Sequence, residues 1–178
     1  PYVKFDKKNT EHIEIQIEIE DFFRKLFPNK SLYKYIWEHL ASTLSGRNTN
    51  QTFNIYTGEG RNGKSKMAEL MQLVLGDYCG QVPITLVTGN RTTIGSLSPE
   101  VAQMKGIRYA IMQEPSKGMA LNEGVMKQLT GGDDIQGRAL YQDTITFKPQ
   151  FSLVVCTNHL FEVNSSDHGT WRRIRKVD

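Results

Sequence analysis

Apolar residues recur along this chain with two different periods, and the period changes near residue 46. Leu32, Ile36, Leu40 and Leu44 stand four apart with Tyr33 and Trp37 beside them, the stripe of an amphipathic helix that begins near Ser31 and stops at Gly46. Upstream, EDFFRKLF reads as a shorter helix closed by Pro28. HIEIQIEIE alternates Ile13, Ile15, Ile17 and Ile19 with polar residues, which is the period of a strand. A Glu-rich helix tolerates the same spacing, and a lone strand ahead of helices has no pairing partner, so the segment is read as helix. After the polar GRNTNQ, short apolar runs (TFNIYT, ITLVT, IRYAIMQ, FSLVVCT) are strand candidates separated by helical stretches. KSKMAELMQLVL carries Met67, Leu70, Met71 and Val74 on one face and ends at Gly76, and SPEVAQM has Ser98 placed to cap a helix with Pro99 in its first turn. This alternation is α/β rhythm, without internal repeats or low-complexity segments.

Composition narrows the picture only a little. A chain of 178 residues that is 38% hydrophobic can bury one good core and a small helical satellite. Its 22 Lys and Arg against 19 Asp and Glu leave +3, so a nucleic-acid partner would be held by a local basic patch rather than by overall charge. Cys79 and Cys156 are far apart with no ligand spacing, which points to a reducing compartment and against a zinc site. His12, His39, His159 and His168 show no paired metal spacing either. No apolar run approaches a membrane span and the start lacks the plan of a signal peptide, so a soluble, intracellular protein with no membrane partner is expected.

The candidate chemistry begins where the first apolar run meets GEGRNGKSK. Gly58, Gly63, Lys64 and Ser65 match GxxxxGK[ST], with Glu59, Gly60, Arg61 and Asn62 as the intervening turn. Glycines let the backbone aim N–H groups at phosphates, Lys64 would reach the β and γ phosphates, and Ser65 would ligand Mg²⁺. A glycine turn that merely contains Lys-Ser is the plain alternative; a strand before and a helix after favour nucleotide. IRYAIMQEP ends in Gln113 and Glu114, and Glu114 is the candidate for catalytic base and metal orientation, or else an ordinary acid before Pro115. Asn158, ending FSLVVCTN, is the candidate for holding the lytic water or touching the γ-phosphate, or else a turn residue. Ile135 to Tyr141 and Thr144 to Lys148 read as a β-hairpin around Gln142 and Asp143. Its Arg138, Tyr141 and Lys148 suit phosphate contact and base stacking, though a surface hairpin carries such residues too. Lys127, in NEGVMKQLT, faces nucleotide, DNA or plain solvent, and Lys117 reads best as a loop lysine.

GEGRNGKS, YAIMQEP, MKQLTGGDDIQGRALY, VVCTN and WRRI, in this order over residues 58 to 174, resemble the superfamily 3 helicase domain of viral and phage replication proteins, nearest the poxvirus-type and large-DNA-virus primase-helicases. The resemblance implies a P-loop NTPase of AAA+ type, with a central parallel sheet and a β-hairpin insertion. It implies a helical collar for oligomerisation over residues 1–46 and the ATPase domain over 47–178, cut short at its C-terminus. It also implies ATP and Mg²⁺ as cofactors, single-stranded DNA as partner, a hexameric ring, a primase domain upstream in the full-length protein, and work at a viral replication site in the host cell. Gly58 to Ser65 would be Walker A, Glu114 Walker B, Asn158 sensor 1, and Lys127 through Tyr141 the inserted motif whose hairpin enters the ring channel. Arg172 or Arg173 would be an arginine finger crossing to the neighbouring subunit, with Trp171 as its packing anchor. A strand there would send the two arginines to opposite faces, so that only one reaches nucleotide. Many members carry two acids in Walker B, whereas this chain has Gln113 before Glu114. The main competitor is a phosphotransferase acting on a small molecule or nucleoside, which would need an arginine-bearing lid that this chain lacks. A non-catalytic DNA-binding module is disfavoured by the intact Lys64, Ser65, Glu114 and Asn158.

Overall fold

The computed structural model describes residues 4–60, 62–89, 98–113, 115 and 118–178. The chain divides into two compact units, Pro1–Leu40 and Ala41–Asp178.

In the first unit, α1 runs Thr10–Leu26 as one continuous helix rather than a separate strand-like segment and short helix. The Asn9 side chain caps it by accepting from the Glu11 and His12 amides, and Glu20–Arg24 and Asp21–Lys25 pair one turn apart. The strand-period isoleucines therefore spread around a helix, and Ile13, Ile15 and Ile17 are exposed. Phe23 is buried and meets Trp37 with ring centroids 4.6 Å apart. Trp37 lies on α2 (Lys30–Ser42), whose Ile36, His39 and Leu40 are buried. α2 runs on into residues of the second unit, where a short 3-10 turn (Thr43–Ser45) ends at Gly46, held at φ 62, as expected for a stop there.

The second unit is built on a five-stranded, wholly parallel sheet. Its strands are β1 (Phe53–Tyr56), β2 (Cys79–Val82), β3 (Tyr109–Met112), β6 (Ser152–Cys156) and β7 (Ile174–Val177), in the order β2-β3-β6-β1-β7. Between them come α3 (Lys64–Leu75), the single turn α4 (Thr85–Thr88), α5 (Pro99–Gln103), α6 (Glu123–Thr130), the antiparallel pair β4 (Ile135–Gly137) and β5 (Ile145–Phe147), and α7 (His168–Trp171). β1 and β3 are buried along their whole length, which is why they read as continuous apolar runs. One sheet face contributes Phe53, Ile55, Ala110, Met112, Leu153 and Val155 to the main core, joined by Met126 and Leu129 of α6. The alternate positions Asn54, Tyr56 and Tyr109 are also buried, so the second face carries polar atoms. There Asn54 donates to Thr52 Oγ1 at 3.3 Å and Ser152 Oγ at 3.4 Å. Among the described residues, no helix is long and apolar enough to cross a membrane.

Two local expectations are corrected. ITLVT is not a strand: Pro83 breaks the extended run and Thr85–Thr88 closes a helical turn ended at Gly89. The edge strand is instead CGQV, whose Gly80 leaves room for Ile107; a Cβ there would stand 3.0 Å from Ile107 Cδ1. Ser98 does not cap α5 with its hydroxyl, which accepts from the Arg138 amide at 3.1 Å and so ties α5 to the end of β4.

Candidate functional site

The strand register brings the candidate residues together. Tyr56 pairs with Cys156 and Met112 with Val155, so the carboxyl ends of β1, β6 and β3 lie side by side. In open parallel sheets this is where ligands bind. A cleft of about 840 Å³ opens there, lined by the loop before α3, the exposed side of α3, and Gln81, Gln113, Thr157 and Asn158.

The loop from Thr57 to Gly63 turns through glycines at positive φ: 147 at Gly58, 85 at Gly60 and 79 at Gly63. Gly58 is the tightest of these, because a Cβ there would lie 1.8 Å from Asn62 Nδ2 and would have to displace that side chain, on a backbone that L residues rarely adopt. That Asn62 amide donates to Thr57 O at 3.2 Å and locks the turn. Lys64 folds back over the loop, with Nζ donating to Gly58 O at 2.8 Å and Asn62 Oδ1 at 3.0 Å. A longer contact of 3.4 Å reaches Asn158 Oδ1 at the end of β6. One ammonium thus spans the loop and the neighbouring strand end. Beneath it, burial pushes the Cys156 thiol up while Lys64 pulls it down. The twelve-residue α3 begins at Lys64, and its first-turn amides have no side-chain cap at Gly63. Glycine cradle, cation and uncapped amides at a helix start fit a phosphate group, and Ser65 in the same first turn carries a hard oxygen donor of the kind magnesium takes.

The predicted residues do not all meet. Arg61, Glu114 and Lys117 lie outside the described residues. Arg172 and Arg173 are not on a strand and do not face opposite ways: they form the turn between α7 and β7, and both donate to Gln51 Oε1, at 2.8 and 3.4 Å. Phe53 pairs with Ile174 and Tyr56 with Val177, which sets the arginines at the amino end of β1 and Gly58 past its carboxyl end. One strand of roughly 13 Å separates them. Trp171 is half exposed, its indole N–H bonded to Ser165 O at 2.8 Å, so a hydrogen bond rather than burial anchors it. Lys127 is engaged by Asp167 at 2.5 Å. That ion pair, with the Gly169 amide next, holds the Asp167 carboxyl down at about 2. Asp167 in turn caps α7 through the Gly169 and Thr170 amides. SSDHGT carries the Asp of such a cap, a signal the motif reading passed over.

The hairpin is shorter than its apolar pattern. β4 ends at Gly137, whose Cβ would stand 2.6 Å from Ala102 N, and residues 138–144 form a loop. Tyr141 sits in that loop at φ 59 and is 96% exposed, with Leu140 exposed beside it. Arg138 Nε donates to Gln142 O at 3.2 Å, and Lys148 is exposed just past β5. A non-glycine residue in left-handed backbone presenting its whole phenol to solvent is a costly arrangement of the kind found at functional sites.

A protein of Acanthamoeba polyphaga mimivirus, provisionally named helicase L207/L206, is 42% identical over 95% of this chain and 18% of its own length. Frog virus 3 has a relative provisionally named helicase 022R, 33% identical over 88% of this chain and 16% of its own. African swine fever virus has one provisionally named primase C962R, 27% identical over 98% of this chain and 18% of its own. The chain therefore spans less than a fifth of the length of these relatives. Among solved structures, the NrS-1 C-terminal region superposes with a TM-score of 0.62 at 10% identity, over 89% of this chain and 36% of that one. JCV helicase superposes at 0.54 and 13% identity, over 88% and 42%. These likenesses, at such low identity, support the α/β fold alone. The family of unknown function DUF5906 matches residues 56–173, from the end of β1 to the arginine turn, and the chain belongs to that family.

Proposed function

We propose that this chain is the ATP-hydrolysing module of a superfamily 3 type viral DNA helicase, an AAA+ P-loop NTPase that couples hydrolysis to movement along single-stranded DNA. The observation that carries the reading is the Lys64 ammonium, bonded at once to Gly58 O, Asn62 and Asn158 where β1 and β6 end together. Those oxygen acceptors mark the positions from which Lys64 would turn to phosphate oxygens. The loop amides and the start of α3 would hold the remaining phosphate charge. Magnesium bound with ATP would neutralise phosphate charge, with Ser65 and Glu114 as its protein ligands. Glu114, directly after Gln113 at the cleft, would accept the proton from water, and Asn158 would orient that water.

The provisional helicase and primase names of the relatives support a nucleic-acid role over the phosphotransferase alternative. Tyr141 and the hairpin cations Arg138 and Lys148 would meet the strand of DNA, while Lys127 would act through Asp167 and the arginine turn instead. Because the arginines lie at the far end of β1 from their own cleft, Arg172 or Arg173 would serve the cleft of a neighbouring copy in a ring, which the segment over residues 1–46 would help assemble. A primase domain elsewhere in the full-length protein fits the same set of relatives.

The test is steady-state ATP hydrolysis by the full chain with and without single-stranded DNA. The expected result is hydrolysis that DNA stimulates and that Lys64→Ala and Glu114→Gln each abolish. Phosphate transfer to a small acceptor with no response to DNA would contradict the reading.

A further inference from the structure

Gln51 lies in the polar segment before β1, outside every motif discussed above, yet it is one of two described non-glycine residues with positive φ, at 51. L side chains rarely adopt that backbone, so the surrounding contacts must hold it. Its carboxamide supplies those contacts. Oε1 accepts from Arg172 Nη2 at 2.8 Å and from Arg173 Nη2 at 3.4 Å, while Arg173 Nη1 donates to Gly169 O at 2.6 Å. The backbone closes the same ring of contacts, since Phe53 N donates to Arg173 O at 2.8 Å. Arg173 Nε is buried with no hydrogen-bond partner.

Two guanidiniums side by side repel each other. Burial and then the Arg172 charge both push the Arg173 guanidinium down, and Asp167 opposes them. Gln51 is the acceptor that the two arginines share. It is also neutral: an amide oxygen orients both forks and cancels neither charge, whereas a carboxylate would form a salt bridge and compete with any phosphate.

We propose that Gln51 is a positioning residue that aligns the Arg172–Arg173 pair, as two uncancelled positive charges, for the phosphate of ATP in a neighbouring copy. The inference rests on the arginine-finger reading above and adds the residue that sets the finger's direction.

Two substitutions in the full chain test it, read by thermal melting and by kcat and KM for ATP with single-stranded DNA present. Gln51→Gly removes the carboxamide but relieves the positive φ, so the fold should melt no lower than wild type. Its kcat should fall about 10- to 100-fold with KM for ATP little changed. Gln51→Glu, nearly isosteric, should melt at or above wild type and still lose kcat, because the carboxylate holds both arginines for itself. A merely structural residue would move stability and activity in the same direction. Arg172→Ala and Arg173→Ala run alongside. If at least one of them abolishes hydrolysis while Gln51→Gly keeps wild-type kcat, Gln51 does not position the pair and the finger reading survives. A Gln51→Gly variant that melts far below wild type would likewise overturn the assignment in favour of a structural role. If both arginine variants hydrolyse ATP normally, the finger reading fails and the role of Gln51 fails with it.

Discussion

At Gly58 the backbone conformation and the chemistry cannot be separated, because its left-handed φ and missing side chain make the space that Asn62 and Lys64 use. Gly58→Ala should expel the Asn62 amide and lower ATP affinity at least about tenfold, a loss of roughly 1.4 kcal/mol measurable by nucleotide titration. The fold should change much less, since the loop is on the surface. His39 makes an independent prediction about stability. It is 4% exposed, and burial pushes its imidazole from the ordinary 6.5 down to about 4. The unfolded chain therefore takes up a proton that the folded chain refuses between those values. The contribution is fully present above about pH 6.5 and is lost as pH falls towards 4, by at most about 3 kcal/mol. Melting temperature should drop over that window in wild type and drop less in His39→Gln. Residues whose role is local, such as Gly58, Gly63 and Lys64, were legible because a fixed spacing encodes them. Gln51 was not, nor was the pairing of Asp167 with Lys127, since the partners Arg172 and Lys127 lie 121 and 40 positions away.

At the scale of elements, the strands buried on both faces announced themselves and the edge did not. TFNIYT and FSLVVCT become β1 and β6, in parallel register at the centre of the sheet. β2 is four residues including Gly80 and Gln81, and an edge strand buries too little to show an apolar pattern. ITLVT had the composition of a strand, but Pro83 and Gly89 confine it to one turn. The hairpin's existence was readable and its length was not, because the Arg138 backbone leaves the ladder to bond Ser98 at the start of α5. That loop should act on DNA separately from the cleft. Tyr141→Ala removes an exposed ring and no packing, so basal ATP hydrolysis and melting temperature should stay unchanged. DNA stimulation of hydrolysis should fall severalfold, with a stacking loss of about 1–3 kcal/mol in binding. A Tyr141→Ala variant that DNA stimulates normally would remove the hairpin tip from the account.

For the whole molecule, one geometric fact governs the rest: the cleft lies past the carboxyl end of β1 and the arginine turn lies before its amino end. A parallel sheet cannot bring those two ends together within one copy. The order of motifs along the chain carries no distance, and only the strand register shows that the two are separated. Asp167 reinforces that separation by capping α7 and holding Lys127, which fixes the turn to α6 rather than to the loop before α3. The active unit is therefore expected to be two adjacent copies, one supplying Lys64 and Asn158 and the other Arg172 and Arg173. The most direct measurement mixes two inactive proteins, Lys64→Ala and the double variant Arg172→Ala with Arg173→Ala, and follows ATP hydrolysis with single-stranded DNA present. Each alone should be inactive, and the mixture should regain a fraction of wild-type hydrolysis at interfaces that pair an intact cleft with an intact arginine turn. Wild-type hydrolysis by the arginine variant alone, or a mixture as inactive as its components, would contradict the account.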